Sequence, residues 1–538
     1  MASASYSYLD KAWRSTCNVV LGKDIGSLKE YKPWLTEFTD PIRMHKSSIG
    51  GSDVVFAINN YCKGAAFASL EEIDFNKKFE PININEVKDM DSIIEAVQER
   101  ISYTGSVVLG NSKVVSGSTN VMESHFVLDS AFVSDSKYVA YSTYTRYTER
   151  VFGCNNDVKS NMVISGLDAG MDIRCLGIYG SYLCSDSYYV SGCEDCRDAI
   201  FCFNLVGKNC VIGNLELSRE KYTKVKAALV EQMSDELSKK KHLPSIMEIV
   251  GKCKEDSHQN QEIFEEVRKK TRSVEATDMK PIEKAFAKTC KVVFGTNLPG
   301  NISNYENWLI RNVKDVMEAK STISGKEVIV GDFAPYNLYP KNRLVRLQEA
   351  RAAAELLKID EKDALTLSLM NAHEKLSKIA YFKTESRLRE NFNLVKAPVA
   401  YNARDCYRGS IYSNVKCSIC SHWPRNSEYN AGCSTSFSCS FCINTYFSNL
   451  SNRCFEIDSC NSCSDCYYCH NCENLSNCMF CFNVKNLRYA IGNVEVGREK
   501  YAKIKKLALD EIVSRLEKKG ELGFGIYDLG CWNGKGKD

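Results

Sequence analysis

The chain has 538 residues, 44% of them apolar and 25% charged, with a formal net charge of +3. That length exceeds what one hydrophobic core usually serves, so two or more domains are expected. The near balance of charge speaks against a nucleic-acid or membrane-surface protein, and no apolar run approaches the ~20 residues of a spanning helix. The stretch Met1 to Trp13 is polar and lacks the apolar core of a secretory signal. The expected location is cytoplasmic, or a virion if the chain is phage or virus encoded. The 26 cysteines lie in a long chain without such a signal. That setting favours reduced thiols, as core residues or metal ligands, over a disulfide framework.

Taken in chain order, the sequence repeats itself. The segment from Lys11 through Cys17 to Gly22 returns from Lys284 through Cys290 to Gly295, an offset of 273. Tyr31, Trp34 and Leu35 return as Tyr305, Trp308 and Leu309, and Phe201-Cys-Phe-Asn204 returns as Phe480-Cys-Phe-Asn483 at offset 279. Shared order with so small a drift marks a tandem duplication. The first copy covers 8–240 and the second 284–518. A helical linker, 241–283, holds the helix-prone run Gln261 to Lys270, and a Gly-rich tail, 519–538, has Cys531-Trp532 as its only bulky feature.

Each copy reads in three parts, which predicts an α+β fold class. The first part is mainly helical, as at Ile93–Val97 and Leu347–Leu357, with a short apolar stretch at Glu327–Gly331. The second part, about 103–216 and 381–495, is rich in Ser, Thr, Tyr, Asn, Val and Cys, which predicts short strands and turns. The third part is a C-terminal helix, Arg219 to about Lys241 and Arg498 to about Lys518, with Ser218 as N-cap of the first and Gly497 in its place in the second.

Within the second part, Cys175, Cys184, Cys193 and Cys202 are nine apart, as are Cys454, Cys463, Cys472 and Cys481. Cys460, Cys469 and Cys478 form a further nine-residue series. Every third position is small or apolar and those between are mostly polar. No helix has that period; a chain winding in short straight pieces around an inward row does. The pattern predicts a β-solenoid-like segment of nine-residue units, two to a coil of about 18 residues, with each set of four cysteines stacked in one row.

The run Cys478-Met-Phe-Cys-Phe-Asn-Val-Lys-Asn-Leu-Arg-Tyr-Ala-Ile-Gly-Asn493, followed by Glu499-Lys-Tyr501, resembles a group of cysteine-rich repeat, β-solenoid-like proteins of candidate-phylum bacteria, archaea and large phages. Members carry ladders of Cys-x2-Cys that end in a Phe/Cys/Asn turn and a Glu-x-Tyr helix. The likeness covers about 60–110 residues of each copy, not the helical first part, and the zinc-ribbon-like segment with which those proteins often begin has no counterpart here. The resemblance implies a fold and carries no activity.

Two pairs, Cys417/Cys420 and Cys439/Cys442, have the spacing of a four-cysteine zinc site. Their first-copy counterparts are Tyr138, Tyr141, Ser160 and Val163, so zinc there would belong to one copy. In the long ladder Cys469 is matched by Val190 and Cys478 by Ala199. Neither replacement can bind metal, so the ladder reads as packing and reduced thiols. Histidine is not shared either: His125 faces Arg404, His422 faces Thr143 and His470 faces Ser191. The tyrosines at 141, 144 and 147 beside Arg146 and Arg150 read as a β-face patch rather than a stacking platform. No phosphate-binding loop, nucleophile elbow or paired metal-binding helix motif is present. The expected function is non-enzymatic: a structural or scaffold protein forming a homo-oligomer or larger assembly, with no nucleic acid or membrane partner, and no cofactor other than zinc at the four cysteines. The alternatives are a zinc-binding or thiol-rich interaction module and a β-helix enzyme.

Overall fold

The structure is a computed structural model that describes residues 2–83, 87–254, 260–271 and 277–532. His258, parts of the predicted linker and the last residues of the Gly-rich tail lie outside the described residues. It shows a repeated α+β arrangement, with two large sheet regions flanked by helices.

One sheet has fifteen strands and the other eleven. Both are built mainly from short segments that pair in parallel with the segment twelve residues on. In the first half Lys113 lies beside His125, His125 beside Lys137, Lys137 beside Glu149 and Glu149 beside Asn161. In the second, Ser464 lies beside Ser476 and Ser476 beside Arg488. The backbone device that allows this is a left-handed residue at nearly every third position, as at Asn120, Glu123, Phe126, Asp129 and Phe132, with φ of 55°, 48°, 60°, 42° and 55°. Left-handed geometry costs an L-residue roughly 1–2 kcal/mol, which explains the many Asn, Asp and Gly residues at these places. Inter-segment hydrogen bonds such as Asp129 N–H to Ser116 O, 3.0 Å, offset that cost. The residue after each of these five is buried: Val121, Ser124, Val127, Ser130 and Val133.

This register corrects the nine-residue unit and the coil of about 18. The inward step is three residues and the pairing step is twelve, so nine is three inward steps and falls short of a full pairing step. Cys175, Cys184, Cys193 and Cys202 therefore do not stack in one row. The true neighbours run Cys466, Cys478, Ala490 and Ile457, Cys469. Nine-residue spacing survives as a diagonal contact, with the Cys175 thiol 3.6 Å from the Cys184 carbonyl and the Cys472 thiol 3.2 Å from that of Cys481.

The two large sheets begin at Val108 and Ser386, just after short parallel pairs at Tyr103 and Phe382, and end in antiparallel turns at Glu216 and Glu495. The helices Arg219–Lys240 and Arg498–Lys519 follow. Ser218 caps the first through Lys221 N–H, and Gly497 takes φ 81° at the second. The run Gln261–Lys270 is a helix. The first parts are less helical than expected. Besides Ala2–Leu21, Met279–Phe294, Met90–Val97 and Leu347–Ala354, each holds an antiparallel hairpin, Arg43–Lys46 with Asp53–Phe56 and Val316–Lys320 with Glu327–Gly331. The β-branched run Val328, Ile329, Val330 suits a strand with its side chains packed against neighbours.

The two halves exchange parts. The first helix of each half packs on its own sheet, Trp13 against Phe152 and Phe294 against Phe455. The hairpin and helix that follow cross to the other half. Val54, Phe67, Ile94 and Tyr103 share a core with Tyr468, Met479 and Phe482, while Val328, Val330, Ala350 and Phe382 share one with Tyr189, Phe201 and Phe203. The hydrogen bonds at the two seams match. Asn483 Nδ2 donates to Ser102 O at 3.0 Å and Asn204 Nδ2 to Tyr381 O at 2.7 Å. Met90 N–H donates to Glu511 at 2.9 Å and Leu369 N–H to Gln232 at 3.2 Å. Equivalent positions also meet each other: Asp40 forms an ion pair with Lys314, and the Tyr144 ring lies edge-on to Trp423 at 5.2 Å. Like surfaces in mutual contact are the signature of a two-fold axis, here within one chain.

Candidate functional site

The four predicted zinc ligands are not brought together. Cys439 and Cys442 occupy inward positions within one buried cluster. Cys417 and Cys420 are left-handed residues, φ 54° and 49°, so their side chains leave the backbone from the other phase of the three-residue repeat. Cys420 joins the aromatic core that contains Tyr407 and Ile419 instead. No three of the four sulfurs lie within 4.8 Å of one another, the distance a shared ion requires.

The inward thiols act as small core groups with a weak hydrogen bond to the backbone. Each reaches the carbonyl two residues before it, 3.3 Å for Cys466 and 3.5 Å for Cys478. Serine does the same at equivalent positions: Ser187, the counterpart of Cys466, donates to Ser185 O at 2.8 Å. Serine also adds an acceptor to the ladder, since Ser130 Oγ takes the N–H of Ser142 at 3.1 Å and Ser142 Oγ that of Cys154 at 3.0 Å. Burial pushes the thiols of Cys175, Cys184 and Cys481 well up, so they stay protonated and unreactive at neutral pH. Cys478→Ala should therefore cost only about 1 kcal/mol, with a melt indifferent to chelator. A loss several times larger, matched by chelator-induced melting of the unaltered chain, would identify a metal site.

Cys62 and Cys531 depart from the expectation of reduced thiols: they form a disulfide across 469 residues, tying the exchanged segment of the first half to the C-terminal tail. The remaining cysteines are free.

Two histidine pairs hold groups that could do acid–base chemistry; the first is sealed and the second borders a cleft. His470 Nδ1 lies 2.7 Å from Asp458 Oδ2, and its Nε2 accepts the N–H of Thr104 at 2.9 Å. A nitrogen that accepts an N–H is unprotonated, so Nδ1 carries the hydrogen and donates it to Asp458. Tyr527 OH donates to the other Asp458 oxygen at 3.1 Å, which completes the set with no atom left for a substrate. His422 Nδ1 lies 2.6 Å from Ser410 Oγ. Burial and then Lys314 hold its pKa well below the usual histidine value, so it is neutral at pH 7. His422 borders a cleft of about 390 Å³ with Asp40, Lys314 and Tyr144 on the internal axis, but Ser410 is fully buried behind it.

Open surfaces recur instead. A groove of about 740 Å³ on the second half is lined by Asn402, Arg404, Asn414, Lys416, Asn426 and Glu428. Its equivalent on the first half, about 480 Å³, is lined by Glu123, His125, Asp135, Lys137, Tyr147 and Glu149. These residues pair off at offset 279, and two of the six pairs are identical, Lys137 with Lys416 and Glu149 with Glu428. In both grooves the lysine sits one pairing step from the glutamate.

Sequence reasoning missed four buried carboxylates whose pKa burial raises: Asp157, Asp168, Asp172 and Glu456. Asp157 is pushed up to about 6 and Asp172 well up, both first by burial. Glu456 is pushed up to about 7, again by burial. Asp157 and Asp172 occupy inward positions that the three-residue repeat marks once its phase is known. Glu456 is a left-handed residue, φ 50°, whose counterpart is Gly177.

Fold and surfaces together define a class: a duplicated, sheet-rich α+β chain with like surfaces on its two halves. No protein-family model matches the chain, and no curated protein or solved structure does either. Among the described residues, no helix is long and apolar enough to cross a membrane.

Proposed function

We propose that each sheet region is a closed four-sided β-solenoid with twelve residues to the coil, and that the chain is a non-enzymatic structural or scaffold protein that assembles with copies of itself. Four three-residue sides account for the left-handed corner at every third position and for the pairing of each residue with the one twelve later. The observation that carries the functional reading is the twin groove. Four of the six groove pairs differ between the halves, yet a lysine and a glutamate one coil apart recur in both grooves. A duplicated chain that offers one surface twice is suited to bridging. A cellular assembly and a virion both accommodate such a block.

Light scattering on the full chain over a micromolar range tests this. The expected mass exceeds one chain, and Lys137→Glu combined with Lys416→Glu brings it back to one. A single-chain mass at every concentration removes self-assembly.

A further inference from the structure

Glu37, His242 and Glu248 are the one set of three metal-ligating groups, among the described residues, whose ligand atoms all lie within 4.8 Å of one another. His242 Nε2 is 3.3 Å from Glu37 Oε2. Three separate elements deliver them. Glu37 follows the short helix Lys32–Leu35, where the chain turns toward the other half. His242 follows Lys241, the left-handed C-cap of Arg219–Lys240. Glu248 sits in the next helix, Ile246–Gly251, where its carboxylate takes the Ser245 N–H at 2.6 Å.

The second half contains the same seat with different residues. Trp34-Leu35 matches Trp308-Leu309, which puts Arg311 in the place of Glu37. Asp528 takes the N–H of Gly525 at 2.8 Å, as Glu248 takes that of Ser245, which puts Asp528 in the place of Glu248. There the guanidinium of Arg311 rests on the carboxylate of Asp528. The second half thus fills the seat with a positive charge supplied by its own chain. The first half puts a second carboxylate where that charge belongs and adds an imidazole beside it. The neighbouring Lys241 does not neutralise the pair, being engaged with Glu30 at 2.8 Å. Burial first, and Glu248 next, raise the pKa of Glu37, and His242 beside it only partly offsets them.

We propose that Glu37, His242 and Glu248 bind a divalent transition-metal cation of the zinc class, which does in the first half what Arg311 does in the second. Two carboxylates and one imidazole are a suitable donor set for such an ion, and their exposure leaves the remaining positions to water. Calcium and magnesium prefer an all-oxygen shell and gain little from the imidazole. The ion pins the start of the exchanged segment to the end of the long helix. It binds only neutral imidazole, so protons compete with the ion.

Cobalt(II) titrated into the full chain under reducing conditions is the probe, because its absorption spectrum separates thiolate from nitrogen and oxygen ligands. The expected result is uptake of about one equivalent, without the intense near-ultraviolet thiolate band, and a higher melting temperature. Glu37→Arg rebuilds the ion pair of the second half. It should abolish this uptake while keeping the metal-free melting temperature at or above that of the unaltered chain. His242→Ala should weaken uptake by about tenfold or more. Absence of uptake overturns the proposal, as does uptake with a thiolate spectrum that neither substitution changes.

Discussion

Tyr103→Ala should loosen the second half of the chain before the first, although Tyr103 belongs to the first copy by sequence. The ring is fully buried. It packs against Tyr61 at 4.7 Å, His470 at 5.2 Å and Phe482 at 6.0 Å, and its hydroxyl donates to Ile526 O at 2.7 Å. Removing a buried aromatic of this size costs about 3–5 kcal/mol, and apart from Tyr61 the partners named, His470, Phe482 and Ile526, belong to the strands of the second copy and the tail after it. Amide hydrogen exchange is the direct readout. Protection should fall over 464–491 while the amides of 137–200 keep theirs. Phe382→Ala should do the reverse, since that ring stacks on Tyr339 at 4.2 Å and meets Phe203 at 5.7 Å. If each substitution instead exposes the strands of its own copy, the exchange of parts is wrong.

That exchange could not be read from the sequence, for a physical reason. Apolar patterning tells which face of a segment must be covered and is silent about which of two equivalent surfaces covers it. In a duplicated chain Tyr103 can satisfy either Phe482 or its counterpart Phe203, and the sequence favours neither. The short connection around Asp40 and Lys314 settles the matter, and its direction is a tertiary property. Local features were legible. Ser218 caps its helix and Gln261–Lys270 is helical. The period was misread because cysteine was treated as the repeat, when the repeat is a backbone conformation with an inward residue after it. Ser187 in the place of Cys466 and Ala199 in the place of Cys478 show that the inward site accepts any small group. Cysteine spacing therefore samples the three-residue step without revealing the twelve. The Cys417/Cys420 pair misled in a related way: its spacing suits zinc, but both residues are out of phase with Cys439 and Cys442.

Glu456→Gln should make the chain more stable at pH 8 and no more stable at pH 4.5. Glu456 is buried, and its oxygens accept Asn444 Nδ2 at 2.9 Å and Ile526 N–H at 2.8 Å. Those donors favour the carboxylate, but burial outweighs them and lifts the pKa from 4.5 to about 7. A raised carboxyl pKa means that the folded state holds the proton more tightly than the unfolded state. Below about 4.5 both states are protonated and the group contributes no penalty. As pH rises from there through 7 the unfolded state gives up its proton first, stability falls, and the full cost is present above 7. At 1.36 kcal/mol per unit the cost is about 3 kcal/mol. Glutamine keeps the shape and cannot ionise. Its carbonyl oxygen can take the Ile526 N–H, and its amide can donate to Asn444 Oδ1, which has no partner in the native arrangement, once the Asn444 side chain turns over. Urea unfolding followed by circular dichroism from pH 4.5 to 8 should show the two stability curves converging at the acid end and separating toward pH 8, with the glutamine variant on top. Parallel curves would mean that Glu456 is ionised in the folded protein throughout, with its two donors outweighing its burial.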